Sequence, residues 1–206
     1  MNGEKIMDIN KLKEKGFNEN QITEINLGLK QGLNVEIYAK KEFYAGQMAE
    51  IRDGLENGLT IEEVQIYAKP EFEEFQMYEI RRGLEDGLDV SIYAKPEFVS
   101  NQMHEIRCGL KDNIDVSIYA NLKYDHNQMN VIRLGLTRKL NISYYANSDF
   151  DYLQMQEILD GLKSKIDVST YATIDFDWKH TKYDSLSHEF CSWYDHDIPG
   201  CVFHLS

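Results

Sequence analysis

The chemistry-bearing residues of this chain gather toward its C-terminal end. His180, His188, Cys191, His196, Cys201 and His204 offer the imidazole and thiol groups that hold zinc. Zinc modules bring such ligands in close pairs, and no Cys-x-x-Cys or His-x-x-x-His pair occurs here. His188 stands three residues before Cys191, yet nothing marks an orienting group or an oxyanion site for a thiol nucleophile. The sequence has no phosphate loop, no dinucleotide fingerprint and no GxSxG elbow. The expectation is a chain that is not an enzyme, with no catalytic residue, no metal and no cofactor.

A second set of polar residues recurs along the chain. Gln21, Gln47, Gln76, Gln102, Gln128 and Gln154 follow one another at steps of 26, 29, 26, 26 and 26 residues. The long step carries three extra residues in the 60–66 stretch. A row of amides could grip an extended peptide or successive bases, as helical-repeat readers of nucleic acid do. A reading column varies from unit to unit, and this one does not. The glutamines are therefore read as structural, each satisfying a backbone group near a Tyr-Ala turn. The tyrosines of those turns (Tyr38, Tyr67, Tyr93, Tyr119, Tyr145, Tyr171) are read as buried, with bonded hydroxyls.

Glu24, Glu50, Glu79, Glu105 and Glu157 form an acidic column, and Arg52, Arg81, Arg107 and Arg133 a basic one two positions on. Two readings stay open. Neighbouring units could pair these charges, or the arginines could face a groove and hold a partner's carboxylates.

The elements that position these columns follow from the spacing. In the fourth unit Met103, Ile106 and Leu110 make an apolar stripe on a helix A running from about Val99 to Asp112. The residue after each helix A is Gly32, Gly58, Gly87, Asn113, Lys139 or Lys165. Gly and Asn suit the left-handed conformation that closes a helix, so looser ends are expected at the two lysines. Two residues later Asn34, Thr60, Asp89, Asp115, Asn141 and Asp167 can each cap a short helix B. Pro70 and Pro96 then turn the chain toward the next helix A. Phe17, Phe43, Phe72, Phe98, Tyr124, Phe150 and Phe176 are read as wedges between units. The mid-helix column Gly28, Gly54, Gly83, Gly109, Gly135 and Gly161 costs about 1 kcal/mol per residue against Ala, so a neighbouring helix is expected close by.

Neither helix can bury its apolar face alone, so the units must stack. The expected fold is all-α: a right-handed α-solenoid of short helix–turn–helix repeats, with long helix A, short helix B and a non-repeat C-terminal cap. Residues 1–16 are read as an N-terminal cap, 17–175 as the solenoid, and 176–206 as a degenerate seventh repeat and cap.

The net charge is −13 and hydrophobic residues make up 42% of the chain. An acidic surface opposes phosphate-tracking nucleic-acid binding and an anionic membrane. The segment 1–17 lacks the apolar core of a secretion signal. Cys108, Cys191 and Cys201 make no disulfide framework, and a cytosolic location is expected. An array is usually a surface for contact, so a protein partner is expected. Positions free of the packing rule are the place for its contacts: Phe75, Tyr78, Tyr152 and His104, with Arg52, Arg81, Arg107 and Arg133 under the groove reading.

The segments QMYEIRRGLEDGLDVSIYAKPEF and QMHEIRCGLKDNIDVSIYANLKY resemble a helical tandem repeat of hypothetical proteins from gut Firmicutes, their phages and integrative elements. The resemblance covers about Phe17 to Phe176. It implies a cytosolic protein of a bacterial cell or phage-infected host. By analogy with phage proteins of this size and acidity, it also suggests an inhibitor of host defence, such as an anti-CRISPR protein. Three readings follow: a protein-binding array, an acidic decoy for a basic nucleic-acid enzyme, and a metal-binding or enzymatic tail.

Overall fold

The computed structural model describes residues 9–174, which hold helices and turns and no strand. The α-helices are α1 (Ile9–Glu14), α2 (Glu19–Lys30), α3 (Ala45–Glu56), α4 (Ile61–Tyr67), α5 (Glu74–Glu85), α6 (Ser100–Lys111), α7 (His126–Thr137) and α8 (Tyr152–Lys163). The chain divides at Lys111–Asp112 into two units, with α1–α6 in the first and α7 and α8 in the second. Within the first unit α3 lies between α2 and α5, and α5 also packs on α6. Within the second, α7 packs on α8. The expected tail elements, including Phe176 and the 176–206 cap, lie outside the described residues, as do residues 1–8 of the 1–16 cap.

Helical spacing of apolar residues makes the core. Met48 and Ile51, Met77 and Ile80, Met103 and Ile106, Met129 and Ile132, and Met155 and Ile158 are all buried. So are Phe17, Phe43, Phe72, Phe98, Tyr124 and Phe150, in the turns that open the 12-residue helices.

Helix B differs from the expectation. It is a three-residue 3-10 turn, such as Val90–Ile92, except at α4. The cause is chain length between two fixed points. Asp89 and Tyr93 are four residues apart, room for one tight turn, whereas Thr60 and Tyr67 are seven apart. The three extra residues add about one helical turn, which returns Tyr67 to the direction its counterparts take. The caps act in both forms: the Asp89 carboxylate accepts from the Ser91 amide at 3.1 Å, and the Thr60 hydroxyl accepts from the Glu63 amide at 3.2 Å.

The lysine-ended helices are not looser. Lys139 and Lys165 take φ of 55° and 57°, and Asn113 takes 56°, beside 70° at Gly87. The closing bonds match too: Leu140 N to Gly135 O is 2.9 Å, as is Leu88 N to Gly83 O. Closure of the backbone bonds overrides the side chain's preference.

The mid-helix glycines make room for a tyrosine of their own unit, not for a neighbouring helix. A Cβ on Gly28, Gly54, Gly83, Gly135 or Gly161 would collide with the hydroxyl of Tyr38, Tyr67, Tyr93, Tyr145 or Tyr171 respectively. The hydroxyls of Tyr38, Tyr67 and Tyr93 each donate to a helix carbonyl at 3.2 Å, those of Glu24, Glu50 and Glu79. Burial pushes these phenols well above their usual pKa, which keeps them neutral donors.

The segment before Phe17 contains α1, which the charge pattern hid. Leu12 is buried and stands five residues before Phe17, as Tyr38 stands before Phe43. That spacing was the signal for it.

Candidate functional site

Each glutamine of the column sits in the first turn of its helix and works in two directions. Its Oε1 accepts from the backbone amide at the helix start: Gln47 from Tyr44 at 3.0 Å, Gln76 from Glu73 at 2.7 Å, Gln102 from Val99 at 3.1 Å. In Gln21, Gln47, Gln76 and Gln128 the Nε2 donates to the carbonyl of the aromatic residue that opens the next helix. Gln47 reaches the Phe72 carbonyl at 2.7 Å, Gln76 that of Phe98 at 2.6 Å, and Gln128 that of Phe150 at 2.6 Å. Gln154 donates to the Ile174 carbonyl at 3.0 Å. These amides latch one element to the next. Tyr93 and Tyr119 are fully buried.

The charged columns form pairs between adjacent helices. Arg52 Nε donates to Glu24 at 2.9 Å, Arg81 Nε to Glu50 at 2.8 Å and Arg107 Nε to Glu79 at 2.7 Å. Arg81 also binds Glu85 at 2.7 Å. Arg133 is buried, 3.7 Å from Asp112. Arg52, Arg81 and Arg107 therefore spend their guanidinium groups inside the chain.

Where the column changes, both members change. At the step from α7 to α8 the Glu position holds Val131 and the Arg position Leu159, and both are buried. Asn26 stands at the Arg position of α2, before which no Glu of the column occurs.

His104 lies within the ion-pair layer. Its Nδ1 is 3.2 Å from Glu79 Oε1, and its Nε2 is 3.5 Å from the Sγ of buried Cys108. The Glu79 hydrogen bond raises the His104 pKa against the opposing effect of burial. Burial pushes the Glu79 carboxyl up, but His104 and Arg107 together hold it below its usual range.

The remaining expected residues face outward. Phe75 is 68% exposed, Tyr78 38% and Tyr152 41%. Phe75 and Tyr78 share the outer face of α5; Tyr152 starts α8, in the second unit. Tyr44, at one of the variable positions before a column glutamine, is 42% exposed. Its hydroxyl accepts from the Glu74 amide at 2.8 Å, which places it at the start of α5.

Among the described residues no group of three His, Cys, Asp or Glu could hold a metal ion, and no helix is long and apolar enough to cross a membrane. The His and Cys set from His180 to His204 lies outside the described residues. The chain matches no protein-family model, no curated protein and no solved structure.

Proposed function

We propose that this chain is a non-catalytic, protein-binding helical-repeat module that acts by occupying a partner's surface. In this reading its units stack as a right-handed α-solenoid in the cytoplasm of a bacterial cell or phage-infected host. The observation that carries it is the outer face of α5, where Phe75 is 68% and Tyr78 38% exposed. Exposed aromatic residues are the usual anchors of protein interfaces. The recurring columns support the reading in another way. Gln, Tyr and Glu–Arg side chains are consumed in holding the helices, which leaves the variable positions for contact.

Affinity capture from a native host, followed by titration of the identified partner, tests it. Phe75→Ala with Tyr78→Ala should weaken binding at least tenfold, with helicity by circular dichroism unchanged. Equal affinity for variants across all the exposed positions would reject the reading.

A second reading is an acidic decoy that fills the groove of a basic nucleic-acid enzyme, as an anti-CRISPR-like inhibitor would. It is favoured by the net charge of −13 together with the internal pairing of Arg52, Arg81 and Arg107. A decoy should lose affinity steeply with salt, whereas an aromatic interface should lose little.

A further inference from the structure

We propose that the outer face of α5 docks a peptide segment carrying a Lys or Arg beside an apolar side chain. The inference rests on the protein-binding reading and specifies the partner.

Phe75 and Tyr78 lie three residues apart on α5, so their side chains are neighbours on one face. Both keep exposed surface, most of it on Phe75. At the position matching Tyr78, α3 carries the small Ala49 and α6 carries His104, which leans to Glu79. Tyr44 closes the end of the face, its hydroxyl donating to Glu73 Oε2 at 3.3 Å. The Glu74 carboxylate lies over Gly46, where a Cβ would collide with it.

The charges of this face do not balance. Arg81 lies 5.4 Å from the Tyr78 ring centre, but it is bound to Glu50 and Glu85. Arg82 is bound to Glu85 at 3.0 Å. Glu73 and Glu74 have no cationic partner among the described residues. Two carboxylates at the start of α5, neither with a cationic side-chain partner, beside two part-exposed aromatic rings are complementary to a cation next to an apolar group. The same carboxylates repel a phosphate backbone.

The test uses the full chain and two dye-labelled peptide pools, read by fluorescence anisotropy. One pool alternates Lys or Arg with Leu or Phe; the other replaces each basic residue with Glu. The first pool should bind and the second should not. Phe75→Ala, and separately the pair Glu73→Gln and Glu74→Gln, should each weaken binding about tenfold. Salt should weaken wild-type binding more than that of the double glutamine variant. Circular dichroism confirms folding, and the 68% exposure of Phe75 makes its removal mild.

Equal binding of the two pools, or no effect of the glutamine pair, would overturn the proposal. So would no binding of either pool, while partner capture would still decide the protein-binding reading independently. Self-association in sedimentation that Phe75→Ala abolishes would assign the face to a second copy of the chain and overturn it as well.

Discussion

The hydroxyl of Tyr93 fills the space beside Gly83 that a Cβ would need, and it donates to the Glu79 carbonyl at 3.2 Å. The glycine and the tyrosine are one device: the missing side chain admits the hydroxyl, and the hydroxyl ties the 3-10 turn to the helix. An exposed Gly→Ala change within a helix would gain about 1 kcal/mol. Gly83→Ala should instead lose roughly 1–3 kcal/mol through overpacking. Adding Tyr93→Phe should return part of that loss, so a double-mutant cycle by urea unfolding should show coupling of about 0.5 kcal/mol or more. Additive losses would mean that the two residues act separately.

The Gln76 latch makes a prediction about sign. Its amide nitrogen faces the carbonyls of Phe98 at 2.6 Å and Pro96 at 3.0 Å. Gln76→Glu keeps the shape but turns an oxygen toward both carbonyls. It should cost at least as much as Gln76→Ala, which leaves buried groups unpaired at about 1–3 kcal/mol. Thermal denaturation of both variants checks the order.

The Val131 and Leu159 positions show which change the ion-pair layer accepts. Arg107→Leu alone leaves the buried Glu79 without its guanidinium and should cost about 3–5 kcal/mol. Glu79→Val with Arg107→Leu should recover most of that loss, because a buried pair replaced by apolar groups is often near neutral. Chemical denaturation of the two singles and the double decides it.

His104 should make stability depend on pH. Its pKa is raised above its ordinary value of 6.5, first by the Glu79 hydrogen bond, so the folded state binds the proton more tightly. The stabilisation is full below pH 6.5 and is lost as pH rises through the higher folded value. Glu79, with its pKa lowered from 4.5, works at the other limit: its contribution is lost as pH falls below that value. The groups facing His104 include Glu79, Glu105, Arg107 and Cys108. Tm should fall from pH 6 toward pH 9 in the wild type, and His104→Gln should flatten that fall.

Lys139 and Lys165 hold φ of 55° and 57°, a conformation costing a side-chain-bearing residue about 1–2 kcal/mol. Lys139→Gly and Lys165→Gly should each stabilise the chain, by about 1 kcal/mol after the entropy glycine adds to the unfolded state. Gly87→Lys, at φ 70°, should do the reverse. Thermal melts of the three variants check the signs.

Much of the local structure was legible in the sequence, because its causes act over a few residues. The helical stripes, the Gly and Asn stops, and the caps at Asn34, Thr60 and Asp89 each depend on backbone groups within a turn. The 3-10 form of helix B was less legible, since it depends on where Tyr93 must land rather than on the propensity of Val90–Ile92.

On the candidate site, the sequence by itself determined which positions recur and which vary, and so that Phe75 and Tyr78 escape the packing rule. Only the tertiary structure decided how the recurring polar groups are spent. Tyr93 bonds a carbonyl 14 residues back, Gln76 one 22 residues on, and Arg107 a carboxylate 28 residues back. A column of arginines looks the same whether it faces a partner or a glutamate of the preceding helix. The choice depends on which helices pack side by side, and that proximity is a property of the folded chain.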